Sequence, residues 1–120
     1  KLRDEYLGDY TPVGVGVSVT PRDAEGSYMP CFLSGKAVAV AFAAGCGAPV
    51  REFSHQSGHI MAALYSSGMT ELISKGEKFI AFHVSGGTTE ILHCDGRSGN
   101  MIIKNIHSVG TYYYLIILQP

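Results

Sequence analysis

An apolar run, Phe79-Ile80-Ala81-Phe82-His83-Val84, breaks at Ser85-Gly86-Gly87-Thr88 and resumes as Thr89-Glu90-Ile91-Leu92-His93-Cys94. No other feature limits the fold of this chain as strongly. Two runs of strand length, rich in aromatic and β-branched residues and separated by a glycine pair, read as an antiparallel hairpin. Gly-Gly is a common two-residue turn, because the favoured hairpin turns need backbone angles that glycine accepts without strain. The same Ser-Gly-Gly-Thr string can also turn its amides and hydroxyls toward a phosphate. Taken alone, the string favours the plain turn.

The rest of the chain alternates between strand and helix patterns. Val13 to Thr20 sets valine against small residues, as in a strand with one packed face and a close neighbour on the other. A polar turn, Pro21 to Ser27, and Tyr28-Met29-Pro30 lead to a long Ala/Val run from Cys31 that reads as a helix capped by Gly45 or Gly47. Small residues on nearly every side of that helix imply close packing on a sheet rather than an exposed face. Pro49 to Phe53 is a short strand. Ser54 is the expected N-cap of a helix from His55 to Ser67, with Gly68 beyond it and a packing stripe of Ile60, Ala63, Leu64 and Ser67. Thr70 to Lys78 has the charge of a surface connection, Asp95 to Asn100 is a turn, and Met101 to Ser108 is a further strand. The order β-α-β-α-β-β-β predicts an α/β layer, a mixed sheet backed by two helices.

Within the second helix, His55 and His59 are four residues apart. That spacing places both imidazoles on one face, away from the greasy stripe, where they can reach one metal ion. The bland alternative is a pair of partly exposed, hydrogen-bonded histidines. A zinc-protease helix needs glutamate directly after the first histidine to activate the metal-bound water, and that position is Gln56. An amide cannot take that proton.

Composition narrows the classes further. The 120 residues are 46% hydrophobic with a formal charge of -1, enough for one modest core and unlike a basic nucleic-acid binder. No apolar run reaches membrane-spanning length and the amino end carries no signal-peptide pattern, so a cytoplasmic protein without membrane contact is expected. Three cysteines, Cys31, Cys46 and Cys94, are an odd number without C-x-x-C spacing. They are expected as reduced, mostly buried thiols. A start at Lys1 without methionine, inside a charged, turn-prone segment, suggests a piece of something longer.

Gly26-Ser27-Tyr28-Met29-Pro30, Ser54-His55-Gln56-Ser57-Gly58-His59 and Val84-Ser85-Gly86-Gly87-Thr88-Thr89-Glu90, in this order and spacing, resemble the tRNA N6-adenosine threonylcarbamoyltransferase family. The same family was formerly described as O-sialoglycoprotein endopeptidases or M22 glycoproteases. The resemblance covers roughly 13–110. It implies a partial amino-terminal lobe of the actin/sugar-kinase/heat-shock ATPase-like (ribonuclease H-like) fold over 1–110, followed by a divergent apolar tail over 111–120. It also implies transfer of a threonylcarbamoyl group from threonylcarbamoyl-AMP to N6 of an adenosine next to the tRNA anticodon. His55 and His59 fall on the family's metal-binding histidines, for iron or zinc. His83, Val84, Ser85, Gly86, Gly87 and Thr88 fall on its loop for the adenylate-bearing substrate, with the Gly86 and Gly87 amides on the phosphate. No residue of this chain falls on a catalytic nucleophile or base, since the nucleophile belongs to the tRNA. The implied partners are threonylcarbamoyl-AMP or an adenine nucleotide, tRNA through the complete protein or complex, and other proteins of the modification complex.

Departures from the family pattern are specific. Glutamate is usual where Ser57 stands, and with Ser54 it would close a reciprocal capping box, so a less firmly held helix start is expected here. Thr88 stands at a position that is often histidine, and His83 at one that is usually apolar. The strand bearing an Asp-Thr-Ser phosphate motif and the lobe bearing the third metal ligand, an aspartate, have no counterpart. The alternatives are a metal-dependent glycoprotease-like protein and a non-catalytic nucleotide- or partner-binding scaffold of the same fold. The Thr111 to Pro120 tail reads as an edge strand or as the product of a truncated or shifted reading frame, the latter being preferred. Missing strands beside Val13–Thr20 and Phe79–Val84 in one sheet would leave an open edge, so self-association or a partner is expected.

Overall fold

Valine alternating with glycine and serine does form a strand, β1 (Val15–Thr20), and the Ala/Val run forms a helix, α1 (Cys31–Cys46), in the computed structural model, which describes residues 5, 8–85, 88–97, 101–109 and 116–118. Gly47 ends α1 with φ 68°, a left-handed cap that a side chain would strain. The chain returns as β2 (Val50–Ser54), parallel to β1 with Val15 opposite Val50 and Ser18 opposite Phe53. Two parallel strands need a crossover, and α1 supplies it. The small face of β1 has its close neighbour: a Cβ on Gly16 would lie 3.4 Å from the Phe53 ring.

The second half is antiparallel. Helix α2 (His55–Ser66) and a short helix α3 (Glu71–Ser74) lead into β3 (Lys78–Ser85), β4 (Thr88–Asp95) and β5 (Ile102–Val109), with β6 (Ile116–Leu118) last. The sheet order is β5-β4-β3-β6. The expected hairpin is present, with Phe79 opposite Cys94, Ala81 opposite Leu92 and His83 opposite Glu90. Alternation puts Phe79, Ala81, Leu92 and Cys94 on one face. With Ile103 they form the core against Ile60 and Leu64 of α2 and Leu72 and Ile73 of α3.

Four expectations are corrected. Among the described residues the strands form two separate sheets rather than one, β1 pairing with β2 while β3 takes its neighbours from β4 and β6. Helix α1 does not pack on nearly every side: only Ala39 and Ala43 are buried, and Val38 is 70% exposed, since a two-stranded sheet is wide enough to cover one narrow stripe. The segment expected as a surface connection carries α3, which sends Leu72 and Ile73 into the core. Gly96 is required there, because a Cβ would meet the Leu72 carbonyl and Ile73 Cα at 2.8 Å. Of the cysteines, all free, only Cys94 is buried; Cys31 is exposed and Cys46 intermediate. The tail supplies an edge strand, β6, whose backbone pairs Ile116 with Phe82 and Leu118 with Ile80.

Candidate functional site: a histidine cluster on a buried carboxylate

Ser54 caps α2 as expected, its Oγ accepting from the Ser57 amide at 3.0 Å. The anticipated looseness of this helix start is offset from elsewhere. Asp23, in the turn after β1, accepts from Ser54 Oγ at 2.9 Å and from Ser57 Oγ at 2.7 Å. The Gln56 amide donates to the Pro21 carbonyl at 3.1 Å. A carboxylate that a glutamate at position 57 would supply locally thus arrives through the fold, and its charge suits the positive end of the helix.

On the first turns of α2, His55 and His59 do share a face. Their Nε2 atoms are 2.9 Å apart and their ring centroids 4.4 Å apart. Phe32 of α1 lies against His55, with centroids 5.7 Å apart. His59 is held below the ordinary histidine range, chiefly by burial and then by the neighbouring His55 and His83 imidazoles, which favours the neutral ring that a metal requires. Two nitrogens bound at about 2.1 Å to one ion stand about 3.0 Å apart at a right angle and about 3.4 Å apart at the tetrahedral angle. At 2.9 Å the two nitrogens are at hydrogen-bond distance, one ring donating to the other, and their separation is close to the right-angle spacing and shorter than the tetrahedral one. Among the described residues, no group of three or more His, Cys, Asp or Glu is arranged to hold a metal.

His83 reaches the same place from β3, its ring centroid 5.6 Å from that of His59. It is held there by Glu90, its cross-strand partner, with Nδ1 3.2 Å from Oε2. Glu90 is fully buried, accepts from Gln56 Nε2 at 2.8 Å and Asn105 Nδ2 at 3.1 Å, and forms an ion pair with Arg22, Nε lying 3.3 Å from Oε1. A buried carboxylate is costly unless so surrounded. Because Glu90 continues the face of Leu92 and Cys94, and His83 that of Phe79 and Ala81, the core side of the hairpin turns from apolar to polar just beneath the start of α2. Gln56, one turn before Ile60, continues the α2 stripe toward it.

Sequence reasoning found His55, His59 and His83 but missed Glu90, Gln56, Arg22, Asn105 and Asp23 as parts of the site. One signal was available for Glu90: in Glu90-x-Leu92-x-Cys94, an acid occupies the apolar phase of a strand. In the expected substrate loop, His83 and Val84 are half-buried, Ser85 pairs with Thr88, and Thr88 is half-buried. Gly86 and Gly87 lie outside the described residues. A cavity of about 570 Å³ lined by Asp23, Phe53, Ser57, Met61, Ile73 and Met101, among others, includes none of the histidines.

The chain matches no protein-family model, no curated protein and no solved structure. Among the described residues no helix is long and apolar enough to cross a membrane.

Proposed function

We propose that this chain is the metal- and adenylate-holding part of a tRNA-modifying transferase, one that moves a threonylcarbamoyl group from its AMP anhydride to an adenosine amine, on a ribonuclease H-like lobe of the actin/sugar-kinase/heat-shock ATPase type. The observation that supports this reading is the meeting of the two motifs: His83, at the entry to the Ser-Gly-Gly-Thr turn, stands 5.6 Å from His59, ring to ring. The histidine pair thus lies beside the end of the strand that leads into the turn. A two-stranded parallel unit beside an antiparallel meander is compatible with such a lobe.

His55 and His59 would hold a divalent iron or zinc ion, which supplies Lewis-acid polarisation of a carbonyl oxygen when bound. The chain's own part is to orient. Asp23 fixes the start of the helix bearing the pair, Glu90 fixes His83, and the exposed portion of the Arg22 guanidinium provides positive charge for a phosphate. Two imidazoles are at most half of a shell, so further ligands would come from outside the described residues, and turnover by the chain alone is not expected. Gln56, an amide that donates inward to Glu90, stands where the protease helix needs its base and cannot take a proton there. That geometry favours the transferase over the glycoprotease.

The test joins metal and substrate. Calorimetry should detect weak zinc or ferrous-iron uptake that disappears on acidification, as the imidazoles protonate, and in the His55→Ala/His59→Ala variant. Equal uptake by that variant would make the pair structural. Threonylcarbamoyl-AMP should bind the metal-loaded chain; no binding would remove the adenylate reading, and product formation with tRNA would show that the chain needs no further ligand or lobe.

A further inference from the structure

The buried Glu90 carboxylate constrains the chemistry of its neighbour as well as its position. Gln56 Nε2 and His83 Nδ1 approach Oε2, while Asn105 Nδ2 and Arg22 Nε approach Oε1. Arginine can only donate, and an amide facing a carboxylate turns its nitrogen rather than its oxygen toward it. As the carboxylate paired with the Arg22 guanidinium, Glu90 has no proton to give, and both its oxygens accept. His83 Nδ1, at 3.2 Å from Oε2, must carry its ring proton toward the carboxylate. A neutral imidazole has one N–H, so the lone pair is left on Nε2. Among the described residues nothing bonds that atom, and the side chain is 18% exposed beside His59.

We propose that Glu90 locks His83 as its Nδ1–H tautomer, making His83 Nε2 a fixed hydrogen-bond acceptor in the histidine cluster that selects a ligand group carrying N–H or O–H over one presenting only lone pairs. His83 is thereby a specificity-determining residue and Glu90 a positioning residue acting through it. The inference rests on the adenylate reading only for its probe: the 6-amino group and ribose hydroxyls of AMP are donors, whereas its phosphate oxygens accept.

Two measurements test it. Long-range proton–nitrogen NMR spectra of the full chain, labelled at histidine nitrogens, in chelator and at about pH 8.5 where imidazoles are ordinarily neutral, report the tautomer directly. The expected pattern for His83, assigned by its loss in His83→Gln, is a protonated Nδ1 and a bare Nε2. Glu90→Gln, with its fold checked by circular dichroism, should lose that single pattern, because an amide can donate as well as accept. A protonated Nε2 in the native chain, or an unchanged pattern in Glu90→Gln, overturns the proposal. In the second measurement AMP is titrated into each variant. His83→Phe should weaken binding about tenfold, as loss of one well-placed hydrogen bond does, while His83→Gln keeps an acceptor and most of the affinity. Undiminished binding to His83→Phe overturns the acceptor role. If AMP does not bind the native chain, the adenylate reading fails, and the tautomer spectrum still decides whether Glu90 sets the acceptor.

Discussion

The parallel half of the molecule, β1-α1-β2, is richer in apolar residues than the antiparallel half, α2 and α3 on β3 to β5, yet buries far fewer of them. In the antiparallel half Phe79, Ala81, Leu92, Cys94, Ile60 and Leu64 are at most 2% exposed. The parallel half buries Ala39 and Ala43 and leaves Leu33, Val38, Val40 and Phe42 in contact with solvent. Apolar content is thus a poor guide to where a fold is held. What decides is whether a sheet is wide enough to receive a helix face, and two strands are not.

The sharpest way to break this comparison is at its strong side. Removing residues 111–120 takes away β6 and uncovers the backbone edge of β3, so light scattering should show association that the full chain lacks. A monomer of unchanged solubility would mean that the edge needs no cover. Next in size, Phe79→Ala should lower stability in urea by about 3–5 kcal/mol, whereas Val38→Ala on α1 should stay within about 0.5 kcal/mol. Similar losses at the two sites would erase the distinction between the halves.

A smaller effect should appear at the joint between them. Ser54→Ala removes the α2 cap and one of the two hydroxyls on Asp23, for about 1–2 kcal/mol, and Asp23→Ala should show a non-additive effect in the double variant because they share one network. Additive losses would show that the two residues act separately. The smallest effect is on pH. His59 is depressed in the folded chain, so the unfolded chain binds its proton more readily; that contribution is intact above the ordinary histidine value near 6.5 and is lost as pH falls through it, levelling off below the folded value. The slope of stability between about pH 7.5 and 5.5 should flatten in His59→Gln. An identical slope would assign the acid sensitivity to other groups.

Much of this architecture was legible because it is local. Alternation located β1, runs rich in aromatic and β-branched residues located β3 and β4, turn signals bounded β5, Gly-Gly located the hairpin, and the i, i+4 spacing placed His55 over His59. What escaped was decided at long range. No local pattern states that β1 ignores β3, since partner choice depends on the whole set of strands. Leu72 and Ile73 were hidden by the charges of Glu71, Lys75 and Glu77 around them, although their backbone approaches Gly96 closely enough to exclude a side chain. Glu90 draws its partners from positions 22, 56, 83 and 105, and Asp23 serves hydroxyls at 54 and 57. Such polar groups are recognised by who surrounds them, not by their neighbours in sequence.

The unequal placement of the three free thiols gives the chain its own stopwatch. Burial pushes the Cys94 thiol up to about 12, so at neutral pH it is neither ionised nor reachable, while Cys31 lies open on α1. An alkylating reagent should mark Cys31 at once and reach Cys94 only when the β3-β4-β5 sheet parts from α2 and α3. The delay between the two marks, read by mass, times how often the packed half opens, with the exposed half serving as the zero of the clock.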